Sequence, residues 1–126
     1  MKPLGCRIWA IADGHIPLVS HGEEPTFTSH DKLCILNTGD QEARLEVTIY
    51  YQNAEPDGPY PLQIAAQRVR HVRINDLIDP RAVPLDVSYG LVITSNVDVI
   101  VQFSRRDTSQ SENAIMTTFA HPVRVV

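Results

Sequence analysis

Hydrophobic and polar residues alternate with a period of two along much of the chain. In ARLEVTIYY, residues 43–51, the odd positions hold Ala, Leu, Val, Ile and Tyr, and the even positions hold Arg, Glu, Thr and Tyr. VDVIVQF, residues 97–103, places valines and Phe103 at its odd positions in the same way. Because successive side chains of a β-strand point to opposite faces, each run predicts a half-buried strand of an antiparallel sheet.

Further segments are predicted strands because they are rich in β-branched or aromatic residues. They are CRIWAIA (6–12), KLCILN (32–37), LQIAAQ (62–67), RHVRIN (70–75), YGLVITS (89–95) and IMTTFAH (115–121). The sequence between them predicts a hairpin link at 37–42, a turn at 53–61 and long connections at 16–31 and 74–88, the last with one short helical turn. Many short strands without an amphipathic helix predict one all-β domain over residues 1–126, an antiparallel β-sandwich with jelly-roll or Greek-key connections.

Composition and charge limit the classes of function. The chain has 126 residues, and its 43% hydrophobic content is enough for one core. Eleven Lys and Arg against fifteen Asp and Glu give a net charge of −4, which provides no general attraction to nucleic acid or anionic lipid. No apolar stretch approaches the roughly 20 residues that cross a bilayer, and no secretory signal is recognisable, so we expect a cytoplasmic protein. Cys6 and Cys34 are then expected to be buried free thiols.

The sequence contains no motif typical of catalysis or metal binding. It has no nucleophile elbow, no glycine-rich phosphate-binding loop and no cysteine pair at metal-ligand spacing. The histidines His15, His21 and His30 are scattered through one predicted loop and form no H-x-H pair on a strand. We therefore expect a non-catalytic protein that holds no metal and no cofactor.

The segment RVRHVR, residues 68–73, is the one basic concentration in the chain. If Arg68, Arg70 and Arg73 contacted DNA phosphates, the protein would be a DNA-associated regulator. A strand whose arginines cover a solvent face or pair with nearby carboxylates explains the segment without DNA. The acidic balance of the chain favours the second interpretation.

Four residues are candidates for binding a small polar ligand, and the first three are Trp9, Asn37 and Gln102. Trp9 has the broad π surface that stacks on a sugar ring, although a lone tryptophan on a strand is more often a core residue. Asn37 ends a predicted strand, where its amide suits either ligand binding or turn capping. Gln102 lies between Val101 and Phe103, so its amide is expected to be partly buried and to need hydrogen-bond partners.

The fourth candidate, Arg105, falls in register with the inward valines of its strand. An unpaired charge is costly there, so Arg105 is expected to pair with Asp107 or Glu112, or to hold a polar ligand. In a regular strand Gln102 and Arg105 point to opposite faces. A site that uses both therefore requires a β-bulge near Ser104.

Five longer motifs follow one another within a match that runs from about Arg7 to Ala120. They are WAIADGHIP, SHDKLCILNTGD, VTIYYQNAEPDGPYPL, RVRHVRINDLIDP and IVQFSRRDTSQSENA. Each motif alone is a weak signal, but the series in this order is specific. It resembles the Anabaena sensory rhodopsin transducer family over nearly the whole chain.

The resemblance implies a cytoplasmic β-sandwich protein that assembles as a homotetramer and binds a small metabolite such as a sugar. It also implies a membrane rhodopsin as the partner in family members, and DNA has been proposed as a partner of the family. The family's ligand-binding positions correspond here to Trp9, Asn37, Gln102 and Arg105. The resulting hypothesis is a non-catalytic small-molecule binding and signalling protein. Its alternatives are an adaptor that relays a signal from a membrane photoreceptor and the DNA-associated regulator.

Overall fold

The computed structural model describes residues 2–22, 28–110 and 114–124. Within these residues the strands are β1 (Cys6–Gly14), β2 (His30–Asn37), β3 (Ala43–Tyr51), β4 (Asp57–Ile64), β5 (Arg68–Arg73), β6 (Tyr89–Asp107), β7 (Ala114–Phe119) and β8 (His121–Val123). A 3-10 turn, Ile74–Asp76, follows β5 and lies in the connection that was predicted to hold a short helical turn. Every strand pair in the described residues is antiparallel, which confirms the predicted all-β class.

The 19-residue strand β6 belongs to two sheets. Its first half pairs with β3 and β1, and sheet A has the order β4-β3-β6-β1-β8. Its second half, from Ile100 to Asp107, pairs with β2 and β7, and sheet B has the order β5-β2-β6-β7. The jelly-roll or Greek-key connections of a β-sandwich stay a prediction.

β6 changes sheets at an irregularity in its pairing with β1. Cys6 lies opposite Val99 and Ile8 lies opposite Thr94, so one residue of β1 faces four residues of β6 over this interval. Extra residues in one strand bend it, and strands pass from one sheet to another at such bends. The sequence predicted separate strands at 89–95 and 97–103, whereas the structure joins them into one strand with the bend between them.

The inward positions of both sheets build the hydrophobic core. In β6 every odd position from Tyr89 to Phe103 is buried except Ser95, which lies at the bend. The odd positions of β3 from Ala43 to Ile49, and Leu33 and Ile35 of β2, are buried in the same cluster. The period-two alternation therefore predicted correctly which residues point inward in 43–49 and 97–103.

Two predicted strand boundaries were wrong. β4 begins at Asp57, inside the predicted turn, because it is the border strand of sheet A and a border strand tolerates Pro59 and Pro61. The predicted strand 115–121 is divided at Ala120, where the chain leaves β7 in sheet B and enters β8 beside β1 in sheet A.

Ile93 and Ile100 lie on opposite faces of β6 and offer a matched test of this packing. Ile93 is fully buried, whereas Ile100 is half-buried on the outer face. We expect Ile93→Ala to lower the free energy of unfolding by about 2–5 kcal/mol, because it leaves a closed cavity, and Ile100→Ala to lower it by roughly 1 kcal/mol or less. Urea denaturation measures both, and equal losses would contradict the assignment of faces.

Candidate functional site

The carboxylate of Asp31 is fully buried and accepts three hydrogen bonds. The donors are Arg105 Nε at 2.9 Å, the Tyr89 hydroxyl at 2.5 Å and the backbone N–H of His15 at 3.0 Å. Arg105 lies directly opposite Asp31 across β2 and β6, and its Nη2 also donates to the backbone carbonyl of Asp13 at 2.8 Å. The buried charge is therefore both paired and hydrogen-bonded, as burial of a carboxylate requires.

This network joins the two ends of β6. Tyr89 is the first residue of the strand and Arg105 comes 16 positions later, yet both contact the same carboxylate. An extended strand of that length would separate them by roughly 53 Å. The contacts exist because β6 bends between its two halves, so Asp31 holds the beginning of β6 in sheet A against its end in sheet B.

Asp31 also sets the protonation of its two partners. Burial and the neighbouring Asp31 charge raise the pKa of the Tyr89 phenol well above its ordinary value of about 10. Burial works against the charge of Arg105, but the hydrogen bond and the charge of Asp31 outweigh it and raise the pKa of the guanidinium. Tyr89 is thus a neutral donor and Arg105 a cation over the whole physiological range.

Trp9, the first predicted ligand residue, is part of the core. Its side chain has 6% of its surface exposed. Its indole N–H is shared between the backbone carbonyls of Cys6 and Val99, each at 3.0 Å. The polar atom of the indole and nearly all of its ring surface are therefore used inside the protein.

Asn37, the second, stabilises the turn that follows β2. Its Nδ2 donates to the carbonyls of Gln41 at 2.8 Å and Ile64 at 3.2 Å, and its Oδ1 accepts the N–H of Gly39 at 3.1 Å. The buried amide is saturated in this turn-capping role. Asn37 is also far from Arg105, because Arg105 lies opposite the other end of β2, six residues or roughly 20 Å away.

Gln102, the third, lies on the outer side of sheet B, away from the core. The pairing of β6 with β2 and β7 is regular from Gln102 to Arg106, so this stretch lacks the β-bulge that a site shared by Gln102 and Arg105 requires. Gln102 and Arg105 therefore point to opposite faces of the sheet. The structure does not bring the four predicted ligand residues together.

The predicted partners of Arg105 need correction. Asp107 accepts hydrogen bonds from the N–H of Ser109 at 2.9 Å and from its hydroxyl at 2.6 Å, and these bonds lower the pKa of the Asp107 carboxyl. Asp107 thus stabilises the turn after β6, while the ion pair of Arg105 at 2.9 Å is with Asp31. Glu112 lies outside the described residues.

Asp31 and Tyr89 were missed in the sequence, although Asp31 carries a recognisable signal. It occupies an odd position of β2, as do the buried Leu33 and Ile35, and therefore points to the same inner face. A charged residue in an inward row needs a buried partner, and Arg105 occupies the corresponding position of another inward row. The inward positions of Asp31 and Arg105 therefore suggest that the two residues pair. No feature of the sequence around Tyr89 indicates that it also binds Asp31.

The exposed side of sheet B carries a largely apolar surface around Gln102. Cross-strand partners share a face, so the register defines two adjacent rows. We call these rows the outer patch; they consist of Val69, Leu36 and Ile100, and of His71, Cys34, Gln102 and Phe119. Phe119 has 70% of its surface exposed, Val69 has 58% and Leu36 has 38%.

The three arginines of the basic segment do not share a face. Arg68 and Arg70 have the parity of the buried Val72, whereas Arg73 points to the other side of β5. Arg68 donates to the carbonyl of Gln67 at 2.9 Å and Arg70 to a carbonyl of the neighbouring strand β4 at 3.0 Å. The three arginines therefore do not form the flat row of phosphate contacts on which the DNA alternative depends.

Three further properties follow from the described residues. Among residues 2–22, 28–110 and 114–124, no group of three or more His, Cys, Asp or Glu side chains is placed to hold a metal ion. Within the same part of the chain, no helix has the length and apolar character that crossing a membrane demands. Cys6 and Cys34 are half-buried free thiols.

Removing the charge of Asp31 should destabilise the fold. We expect Asp31→Asn to lower the free energy of unfolding by about 3–5 kcal/mol, because Arg105 loses its buried counter-charge. Tyr89→Phe, which removes one hydrogen bond to a charged group, should lower it by about 1.5–3 kcal/mol. Denaturant titration measures both against Asp40→Asn, an exposed control expected to change it by roughly 0.5 kcal/mol or less. An Asp31→Asn loss no larger than the control would contradict the role of the network.

Tyr89 should also make stability fall at alkaline pH. Above pH 10 the unfolded tyrosine loses its proton while the folded one keeps it, so the free energy of unfolding falls by about 1.4 kcal/mol per pH unit for each such tyrosine. Burial and Asp57 raise the pKa of Tyr51 to about 12, so Tyr51 adds to the slope up to that pH. Urea denaturation at several pH values above 10 should give a shallower slope for Tyr89→Phe than for the unaltered chain; equal slopes would contradict the prediction.

Comparisons with known proteins agree on one family. The sequence model of the Anabaena sensory rhodopsin transducer family matches residues 4–122. The solved structure of the Anabaena sensory rhodopsin transducer is 48% identical, has a TM-score of 0.74, and the match covers 82% of this chain and 97% of that one. A crystal structure of Thermotoga maritima 1070 is 31% identical, with a TM-score of 0.84 and coverage of 94% of this chain and 96% of that one. A search of curated proteins finds no match. The family match and the 48% identical structure confirm the resemblance seen in the sequence, and the chain belongs to the Anabaena sensory rhodopsin transducer family.

Proposed function

We propose that the chain is a non-catalytic transducer that receives a signal by binding the cytoplasmic side of a membrane sensory receptor. Its 48% identical relative is named as a sensory rhodopsin transducer, which supports a sensory rhodopsin as the receptor. The observation that carries the proposal is the outer patch, an apolar sheet surface with an aromatic side chain at its border.

The outer patch has the chemistry of a protein interface. Contiguous exposed apolar surface is rare on monomeric proteins and marks sites of protein contact. Phe119 supplies a large aromatic anchor, and Gln102 in the same row supplies an amide with donors and an acceptor. A partner that covers the outer patch therefore buries the apolar ring of Phe119 at its border and forms directional hydrogen bonds with Gln102 at its centre.

Strand β7 at the border of the patch is itself uncovered. All six of its residues are exposed, and among the described residues it pairs only with β6. The other edge of β7 therefore offers backbone N–H and C=O groups to an incoming segment. A receptor loop is the occupant that we propose for this edge and for the adjoining patch.

A metabolite site at Trp9, Asn37, Gln102 and Arg105 is the weaker proposal. Trp9 and Asn37 use their polar atoms internally, Arg105 is held by Asp31, and Gln102 points to the opposite face. The DNA alternative is weaker too, because Arg73 is on the other side of β5 from Arg68. A homotetramer that buries β7 between copies is the main competitor for the outer patch.

Phe119→Ser tests the transducer proposal. Because Phe119 is mostly exposed, the substitution should leave the thermal midpoint nearly unchanged and weaken binding to a sensory rhodopsin in lipid nanodiscs at least tenfold. Tyr50→Ser is the matched control, since Tyr50 is an exposed aromatic residue on sheet A with 46% of its surface exposed. Calorimetric titration measures both variants.

Light scattering on the same samples shows whether the outer patch binds the receptor or another copy of the chain. If Phe119→Ser breaks an oligomer into smaller species and leaves rhodopsin binding intact, the outer patch is an interface between copies. The proposed receptor contact would then be wrong. Equal weakening by Tyr50→Ser would also contradict it, because the effect would not be specific to the outer patch.

A further inference from the structure

Two buried polar atoms near one end of sheet B have no hydrogen-bond partner among the described residues. They are Nε of Arg73, which carries a donor hydrogen, and the side-chain carbonyl oxygen Oδ1 of Asn75. Most buried polar groups are paired, because an unpaired one has lost its bonds to water without replacing them. A positively charged donor and a neutral acceptor left open at neighbouring positions therefore need an explanation.

Both side chains line one surface depression of about 490 Å³. Arg73 ends β5, and Asn75 lies two positions later in the 3-10 turn. Leu18 and Leu85 contribute apolar surface to the depression, and Ser20 contributes a hydroxyl. A concave site with a few convergent polar groups and apolar walls is the usual form of a small-molecule site.

The remaining atoms of the two side chains are anchored by the protein. Asn75 Nδ2 donates to the carbonyl of Ser29 at 3.2 Å, and Arg73 Nη2 lies 3.5 Å from the hydroxyl of Thr28. These contacts orient the amide and the guanidinium while leaving Asn75 Oδ1 and Arg73 Nε for another group. Preorganised side chains lose little conformational entropy when a ligand binds.

Cationic side chains approach the depression from β2 and β5, whereas on its other side the carboxylate of Asp86 accepts the backbone N–H of the lining residue Leu18 at 3.0 Å. Lys32 lies directly opposite Arg73 on β2. Burial lowers the pKa of the His30 imidazole, and the positive charges of Arg73, Arg106 and Lys32 lower it further against the raising effect of its bond to the Thr28 carbonyl. Burial disfavours a charge of either sign, so only the three neighbouring positive charges favour an anion at this end of sheet B.

We infer that this depression binds a small hydroxycarboxylate. A carboxylate accepts parallel hydrogen bonds from the Nε and Nη2 edge of an arginine, and a hydroxyl beside it would donate to Asn75 Oδ1. An uncharged polyol lacks the first contact and a simple carboxylate lacks the second. Trp9, Asn37, Gln102 and Arg105 do not line this depression, so the inference is independent of the ligand site predicted from the sequence and of receptor binding.

Calorimetric titration of the full chain with matched probes tests the ligand class. L-Malate and D-gluconate carry both groups, succinate lacks the hydroxyl, and sorbitol lacks the charge. We expect each hydroxycarboxylate to bind at least tenfold more tightly than its matched probe. If none of the four binds, ordered water alone occupies the site and the inference is wrong; equal affinity for malate and succinate would overturn the role of Asn75.

Variants of the two side chains locate the binding. Arg73→Lys keeps the charge but loses the planar fork, so malate should bind at least tenfold more weakly. Asn75→Ala should remove the preference for malate over succinate. Arg70→Lys is the matched control, because Arg70 is on the same strand but points to the other face, and this variant should bind malate as the unaltered chain does.

If Arg70→Lys weakens malate binding as much as Arg73→Lys, the ligand is elsewhere and the inference fails. Circular dichroism and the thermal midpoint verify that each variant is folded, and the assay requires no receptor.

Discussion

The carboxylate of Asp31 is the interaction on which the rest of the structure depends. It receives donors from the two ends of β6, Tyr89 and Arg105, which are far apart along the strand and close in space only because the strand bends. A buried charge is tolerated only when its partners are in place, so this geometry is nearly all-or-none. The bend lets one strand serve both sheets, and its second half pairs directly with β2 and β7 in sheet B.

This constraint determines which side chains remain for binding. Arg105, Asn37 and Trp9 have the residue types of a ligand site, but each is consumed in holding a bend, a turn or the core. The polar groups proposed here for binding lie on sheet B or at its end, in Gln102 of the outer patch and in the depression beside Arg73. A protein contact and a small-molecule contact are thereby offered by one sheet, while sheet A contributes mainly to the core.

The sequence predicted the β class and the inward faces of two strands, because each follows from a local period of two. It did not predict that the strands at 89–95 and 97–103 are one, because their union depends on pairing with β1 at the far end of the chain. The partner of Arg105 was missed because residues 16–31 were predicted to be a connection, whereas Asp31 belongs to β2 and shares its inward row with Leu33 and Ile35. Residue type could not separate a binding tryptophan from a core tryptophan, because only burial distinguishes them.

One buried residue, Ala120, separates β7 from β8, and only 3% of its surface is exposed. β7 borders sheet B, whereas β8 borders sheet A beside β1. A force that draws β7 outward must therefore stretch a single-residue tether or drag β8 along β1. Mechanical load applied at the border of sheet B is transmitted in this way to sheet A, with no hinge and no long loop to absorb it.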